Sequence, residues 1–192
     1  MQAIQPTTDP QNEVFPIVNE QDEVIGKISR QEAHRSPHLM HRAVGVFILN
    51  SAGEILLQKR SATKDTFPNA WEILAGHVQY GQKYLDTAVR ELEEELGIIA
   101  SPNDLLLTGK IIVTAPGLKE IWQVYRYQIA DEISPVANAL EVSEIKFVKP
   151  AELRSMLSDS AVKWSETVRQ AITGVFFVET PAGKFHALPV KP

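Results

Sequence analysis

The apolar positions of this chain follow two spacings, which divide most of it into short strands and a few helices. Alternating or continuous apolar runs rich in Val, Ile and aromatic residues predict strands, whereas apolar residues three and four positions apart predict helices. The predicted strands are Val14–Val18, Val24–Ile28, Ala43–Leu49, Ile55–Gln58, Glu72–Leu74, Leu105–Val113, Ile121–Ile129, Glu144–Val148, Val175–Val178 and Phe185–Leu188. The predicted helices are Leu85–Leu96, Ala151–Leu157 and Lys163–Ile172.

The predicted strands come mostly in pairs that are joined by short turns. Val14–Val18 and Val24–Ile28 flank the turn-like segment NEQDE, and Ala43–Leu49 and Ile55–Gln58 flank NSAGE. Strands joined in this way pair with each other, and the helices between other strands must pack on the faces of the resulting sheet. The pattern therefore predicts an α/β (α+β) fold, in which a mixed β-sheet is sandwiched between α-helices.

The length of the chain predicts a single domain. Its 192 residues are enough to bury a sizeable core, and no linker-like segment divides them. Residues 1–12 are polar and contain two prolines, so we expect a flexible N-terminal tail. The domain is then expected over residues 13–174, with residues 175–192 as a C-terminal extension.

Composition narrows the classes of function. The formal net charge of −5 argues against a nucleic acid polymer as the main partner, because such binding depends on clustered Lys and Arg. The absence of cysteine excludes disulfides, thiolate nucleophiles and zinc sites with Cys ligands. The N-terminus has no basic region followed by an apolar stretch, and no apolar run is long enough to cross a bilayer. We therefore expect a soluble, cytoplasmic protein without a membrane partner.

One helix carries the most informative pattern, in the sequence RELEEELG. At about 100° per residue, Glu91, Glu94 and Glu95 share one sector of the helix, whereas Glu93 points to the far side. Neighbouring like charges repel, and a hard divalent cation such as Mg²⁺ would turn this repulsion into a binding site. Arg90 can reach Glu94 at a spacing of four residues. The alternative reading is an ordinary solvated face of a Glu-rich helix.

Residues 76–98 resemble the Nudix box, whose pattern is G, five residues, E, seven residues, and then R-E-U-x-E-E-x-G-U, with U apolar. Eight of the nine defined positions match; these are Gly76, Arg90, Glu91, Leu92, Glu94, Glu95, Gly97 and Ile98, whereas Gln82 replaces the first Glu. The resemblance implies the Nudix fold and a Mg²⁺ ion, or Mn²⁺ in its place, bound by Glu91, Glu94 and Glu95. It also implies that Glu91 can act as the base and that Arg90 orients a glutamate. The backbone carbonyl of Gly76 is a further candidate ligand.

A narrower resemblance concerns the isopentenyl-diphosphate isomerase branch of this superfamily. The segments EAHRSPHLMHRAV, KRSATKDTFPNAW and AGH have the layout of that branch. The resemblance implies a second metal site formed by His34, His41, His77 and Glu120, and it implies that Arg60 and Lys64 contact a diphosphate. Two positions depart from the isomerase, because Ala75 replaces its catalytic Cys and Trp122 replaces a second Glu ligand.

The leading hypothesis is a Mg²⁺-dependent hydrolase that cleaves a diphosphate linkage in a nucleoside di- or triphosphate or a related small metabolite. One alternative is a non-catalytic module that binds a phosphorylated ligand, since Gln82 weakens the metal site. Another is an isopentenyl-diphosphate isomerase, although Ala75 leaves that reaction without an acid/base residue. For the three histidines, an ordinary role in loops is an equal alternative to metal binding. The oligomeric state is open, with a homodimer as one option.

Overall fold

The computed structural model describes residues 7–179 and 185–187 of the chain. Its strands are β1 (Val14–Val18), β2 (Val24–Ser29), β3 (Met40–Leu49), β4 (Ile55–Arg60), β5 (Trp71–Glu72), β6 (Leu74–His77), β7 (Leu105–Ala115), β8 (Leu118–Gln128), β9 (Val142–Val148), β10 (Phe177–Glu179) and β11 (Phe185–Ala187). Its helices are α1 (Arg30–Ala33), α2 (Tyr84–Leu96), α3 (Pro150–Ser158) and α4 (Glu166–Ala171), with a 3₁₀ turn at Pro102–Asp104 and a π-helical turn at Ile172–Phe176.

Strand β3 is the centre of a mixed sheet of nine strands. It runs parallel to β8 over its whole length, and on its other side it is antiparallel to β1 and then to β6. It meets β4 at Leu49 and Ile55, and β4 in turn pairs with β5 and β9. This register sets His41 of β3 opposite Glu120 of β8, and Val44 of β3 opposite Gly76 of β6.

The sheet has helices on both faces, because β3 is apolar on both of its sides. Its even-numbered residues Val44, Val46 and Ile48 pack in one core with Leu92 and Leu96 of α2. Its odd-numbered residues Ala43, Phe47 and Leu49 pack in a second core with Leu153 of α3 and with Val168 and Ala171 of α4. Successive residues of a strand point to opposite faces, so this alternation builds the predicted sandwich, which is confirmed.

Most elements lie where the sequence predicts them. The first hairpin is confirmed, and α2 ends at Gly97, whose φ of 63° favours a residue without a Cβ. The strand predicted at Glu72–Leu74 is interrupted at Ile73 and forms β5 and β6. The helix predicted from Lys163 begins at Glu166. Within the described part of the chain, no helix is long and apolar enough to cross a membrane.

The segments at both ends of the predicted domain make contacts that the sequence does not reveal. Residues 1–6, residues 180–184, where the sequence predicts a turn, and Leu188 lie outside the described residues. Residues 7–12 lie against the domain, since Asp9 is buried in ion pairs with two cations, and so they are not a free tail. The strand predicted at Val175–Val178 is wrong at its start, because Val175 and Phe176 continue the α4 spacing in the π-helical turn and are buried in the second core. β-branched and aromatic residues favour strands locally, but burial decides here.

Candidate functional site

A cleft of about 350 Å³ is lined by α2, β6, β8 and the N-terminal segment. Eight carboxylates and four cationic side chains face it, which leaves an excess of four negative charges when all of them are ionised. The carboxylates are Asp9, Glu13, Glu72, Glu91, Glu94, Glu95, Glu120 and Glu141, and the cations are Arg30, Arg60, Lys64 and Arg90. Such an excess in a partly enclosed cleft favours the binding of cations.

Helix α2 presents the glutamates to this cleft by the same geometry that buries its apolar stripe. Glu91 and Glu95 are buried, with 8% and 5% exposure, whereas Glu94 is mostly exposed and pairs with Arg90. Arg90 also donates to Glu91 Oε1 at 2.9 Å. Gln58 of β4 donates to Glu95 Oε2 at 2.6 Å. The three glutamates named by the sequence thus share the cleft, two as buried groups and one at its rim.

Gly76 lies where β6 approaches the side chain of Glu91 closely. A Cβ built on Gly76 would lie 2.2 Å from the carboxyl carbon of Glu91, so any residue other than glycine would force this carboxyl group to move. The backbone of β6 therefore lies directly against this carboxyl group. This contact gives a physical reason for a glycine fifteen residues before the glutamate, and it brings the Gly76 backbone near enough to share a site with Glu91.

Burial changes the acidity of the two inner glutamates. It raises the pKa of Glu91 to about 7, an effect that Arg90 opposes and Glu94 reinforces. It raises the pKa of Glu95 to about 8, with the negative charges of Glu91 and Glu72 as further causes. Both groups are therefore poised to exchange protons near neutral pH, and a divalent cation beside them would favour their ionised forms.

The three histidines form a compact cluster, with one ligand atom of each within 4.8 Å of the others. Phe15 stacks on the rings of His41 and His77, at centroid distances of 5.3 and 4.6 Å. Burial lowers the pKa of His77 to about 3, so this imidazole is neutral, as a metal ligand must be. Among the described residues, His34 Nε2 and both ring nitrogens of His41 are buried without a hydrogen-bond partner. Buried nitrogens without partners are costly, and a metal ion would satisfy them.

Glu120 joins this cluster from β8. Its Oε1 lies 2.9 Å from His77 Nε2 and 3.1 Å from His41 Nε2, the latter outside hydrogen-bond geometry. Its Oε2 accepts a hydrogen bond of 2.8 Å from the indole of Trp122. Burial alone would raise the pKa of Glu120, but the two histidines outweigh it and hold the pKa well below its usual value. Glu120 is thus an ionised group whose orientation is fixed from both sides.

Trp122 occupies the position where the isomerase resemblance places a second glutamate. Its ring packs on Gly45 of β3, where an added Cβ would come within 2.9 Å of the indole. Trp122 therefore fills space and holds Glu120, and it adds no negative charge. Ala75 of β6 also lines the cleft, so the methyl group of an alanine stands where the isomerase has its cysteine.

Arg60 and Lys64 both reach the cleft, but each is already paired with protein carboxylates. Arg60 donates to Glu72 Oε1 and to the backbone oxygen of Thr66, each at 2.9 Å. Lys64 contacts Asp9 Oδ1 at 2.5 Å and also the carboxylate of Glu141. A diphosphate that binds these cations would have to compete with the carboxylates for them.

Sequence reasoning missed the N-terminal side of the cleft. Arg30 lies within 3.0 Å of carboxylate oxygens of Asp9, Glu13 and Asp65, and Asp65 in turn contacts His34 Nδ1 at 3.4 Å. These residues are up to 56 positions apart, so no local spacing reveals the network. Their only sequence signal is the polar character of the segments around them.

Comparison with known proteins identifies the family of the chain. The chain matches the family model of the NUDIX domain over residues 39–171. It is 37% identical over 142 residues to an uncharacterized Nudix hydrolase of Pseudomonas aeruginosa, covering 72% of this chain and 79% of that protein. It is 32% identical over 145 residues to the isopentenyl-diphosphate Delta-isomerase of Nocardia farcinica, covering 74% and 82%.

A solved structure supports the same assignment. A crystal structure of a Deinococcus radiodurans protein superimposes with a TM-score of 0.72 at 25% identity, covering 85% of this chain and 99% of that chain. The chain therefore belongs to the Nudix family, in a branch whose members are similar to isopentenyl-diphosphate isomerases.

Proposed function

We propose that the protein is a Mg²⁺-dependent hydrolase that cleaves the diphosphate linkage of a nucleoside di- or triphosphate or a related small metabolite. The observation that supports it most directly is the pair of buried carboxylates, Glu91 and Glu95, in a cleft with a large excess of negative charge. Two such groups side by side are unfavourable without a cation. Mg²⁺ prefers carboxylate oxygens and leaves coordination positions for water and phosphate oxygens.

Separate residues of the chain would bind the cation and hold the base in place. Glu91, Glu94 and Glu95 would hold the cation, with the backbone carbonyl of Gly76 beside Glu91 as a further donor. When bound, Mg²⁺ supplies charge neutralisation for a diphosphate and acidifies a water molecule. Burial raises the pKa of Glu91 to about 7 in the protein without metal, and a bound cation would favour the ionised form, which can accept a proton. The hydrogen bond from Arg90 holds its carboxylate in place.

The phosphate groups would be bound by Arg60 and Lys64. Both cations are buried at the cleft wall, where a charge-assisted hydrogen bond is stronger than in water. Both cations are now paired with carboxylates. A phosphate can take the place of a carboxylate, because its oxygens accept the same hydrogen bonds. The exchange is easiest at Lys64, because its partner Asp9 belongs to the N-terminal segment and Glu141 is partly exposed.

A second metal site is proposed at His34, His41, His77 and Glu120. The fit is supported by the buried nitrogens of His34 and His41 that have no partner among the described residues. Neutral imidazoles suit Mn²⁺, Zn²⁺ or Fe²⁺ better than Mg²⁺, whereas the glutamates of α2 suit Mg²⁺. The two sites would therefore select different ions, and together two divalent cations would balance the excess of four negative charges.

Hydrolysis is favoured over isomerisation by two positions in the cleft. Isomerisation moves a proton on a carbon atom and needs an acid/base residue beside that carbon. Ala75 offers only a methyl group at this position. Trp122, which donates to Glu120 and packs on Gly45, is an uncharged side chain. Glu91, Glu94 and Glu95, which would hold the cation for attack by water, all line the same cleft. This contrast favours the hydrolase, even though isomerases are among the relatives.

The test is a screen of nucleotides and other diphosphates with Mg²⁺ and with Mn²⁺, in which phosphate or nucleotide release is measured for three proteins. Wild type should turn over at least one substrate, and Glu91→Gln should lose about 100-fold or more of that activity. Glu93→Gln is the matched control, since Glu93 is exposed on the same helix. Equal rates for wild type and Glu91→Gln would refute the role of Glu91. Tight binding without turnover would indicate a binding module, and conversion of isopentenyl to dimethylallyl diphosphate would indicate an isomerase.

A further inference from the structure

Gln82 occupies the one position at which the chain departs from its family's box, and its side chain carries no charge. Its Nε2 donates to Gln79 Oε1 at 3.4 Å, and its Oε1 accepts from the hydroxyl of Thr87 at 3.3 Å. These contacts tie the loop before α2 to the first turn of the helix. They do not supply the negative charge that a glutamate would bring to the site.

Glu13 brings a carboxylate to the same place from a different part of the chain. Gln79, the partner of Gln82, also donates to Glu13 Oε1 at 2.7 Å. The backbone N–H of Tyr80 donates to the carbonyl of Val14 at 2.8 Å, so the start of β1 is fixed beside the loop that precedes α2. The Glu13 side chain is 11% exposed and faces the cleft.

Glu13 also lines the same cleft as the glutamates of α2. That cleft is lined by Glu13, by Glu91, Glu94 and Glu95, and by Arg90, which donates to Glu91 Oε1 at 2.9 Å. The carboxylate of Glu13 therefore borders the space that a cation held by the α2 glutamates would occupy.

The ion pairs around Arg30 do not neutralise Glu13. Arg30 binds Asp65 through two nitrogens, at 2.9 and 3.1 Å, and Asp9 lies against Lys64. Arg30 also contacts Asp9 at 3.0 Å, and Glu13 shares this guanidinium through a single contact of 3.0 Å. Two cations, Arg30 and Lys64, thus lie among the four carboxylates of Asp9, Glu13, Asp65 and Glu141, which leaves a surplus of negative charge at the cleft wall. A bound cation would balance this surplus.

We propose that Glu13 supplies the carboxylate that the box lacks at Gln82, as a further ligand of the divalent cation held by Glu91, Glu94 and Glu95, either directly or through one bound water. The site then keeps its charge, although the donor comes from the entrance of β1 instead of from the loop before α2. This inference rests on the proposed metal-dependent function. It also explains how a neutral residue can stand at position 82 without loss of the metal site.

The test is the affinity for Mg²⁺ alone, measured by calorimetry, because Mg²⁺ competes poorly for the histidine cluster. Glu13→Gln should weaken Mg²⁺ binding by about tenfold or more, whereas Glu20→Gln should bind like wild type. Glu20 is the matched control, since it lies at the far end of the same hairpin with a side chain that is 72% exposed. The double variant Glu13→Gln/Gln82→Glu should regain the wild-type affinity to within about threefold, because the charge is restored at the position that the box uses.

Two outcomes would overturn the proposal. One is wild-type affinity in Glu13→Gln. The other is a double variant no better than Glu13→Gln, which would mean that Glu13 only supports the fold through Arg30. If Glu13→Gln does not fold, the Mg²⁺ affinity of Gln82→Glu decides the question. An increase in affinity of less than about threefold supports the proposal, because the site already has its carboxylate, whereas an increase of about tenfold or more contradicts it. Glu91→Gln separates the two hypotheses, since wild-type affinity in this variant would refute the metal site itself.

Discussion

The stability of the protein without metal should depend on pH through Glu95, and the variant Glu95→Gln isolates this dependence. Glu95 is buried, and its pKa is raised to about 8 by burial and then by the charges of Glu91 and Glu72. In the unfolded chain the group has its ordinary pKa of 4.5. Between these two values the folded state holds a proton that the unfolded state has released, so the free energy of unfolding falls as the pH rises.

The size of the effect follows from the same two pKa values. One extra bound proton costs about 1.4 kcal/mol of stability for each pH unit. Between pH 6 and pH 8 wild type should therefore lose about 2 kcal/mol relative to Glu95→Gln, in which this titration is absent. Glutamine keeps the shape of the side chain and can still accept the hydrogen bond from Gln58 through its amide oxygen. All other titrating groups are shared by the two proteins, so those that do not interact with Glu95 cancel in the difference between them.

The assay is urea unfolding in EDTA at pH 6, 7 and 8, repeated with an excess of Mg²⁺. Wild type should become less stable with rising pH in EDTA and should regain about 2–3 kcal/mol with Mg²⁺ at about 100 times its dissociation constant. Glu95→Gln should be more stable than wild type at pH 8 in EDTA and should gain little from Mg²⁺. Parallel pH profiles for the two proteins in EDTA, or full stabilisation of Glu95→Gln by Mg²⁺, would refute the reasoning.

Three further predictions concern the other parts of the cleft. Gly76→Ala should lose at least about 100-fold in activity and most of the stabilisation by Mg²⁺, because its Cβ would displace the Glu91 carboxyl group; kinetics and thermal melting check this. His41→Asn should lower the Zn²⁺ or Mn²⁺ content measured by mass spectrometry by about tenfold, while Mg²⁺ affinity stays unchanged. A titration with inorganic diphosphate should show binding with Mg²⁺ and none in EDTA, and Lys64→Met should weaken it by about tenfold.

The sequence predicted the architecture well because the deciding signals are local. The apolar spacing of α2 gives its register directly, and that register sets Glu91 and Glu95 toward the sheet. The continuous apolar run of β3 predicts a strand buried on both faces, as observed. Where a local signal competes with burial it misleads, as at Val175 and Phe176, which have strand propensity but complete a helical stripe.

The parts of the cleft that escaped sequence reasoning depend on contacts between distant segments. Asp9, Glu13 and Arg30 have no motif, and their meeting depends on how β1 and α1 lie beside the loop that contains Asp65. The sequence therefore predicted which glutamates α2 presents, but it could not predict that the N-terminal segment adds two carboxylates and a cation to the same cleft. It also assigned Arg60 and Lys64 to a phosphate without showing that carboxylates already hold them.

The metal requirement that we expect for diphosphate binding follows from the balance of charge in the cleft. The excess of negative charge in the cleft, which reaches four when every group is ionised, repels a diphosphate, and the two cations proposed to bind it are engaged by carboxylates. If Glu91 and Glu95 hold a divalent cation as proposed, both conditions would change, because the cation would offset their charge and would favour the approach of phosphate oxygens. The metal should therefore bind before the substrate. The same balance explains why the uncharged residue at position 122 matters: a carboxylate there would add a negative charge to a cleft whose fully ionised excess of four is already as much as two divalent cations can offset.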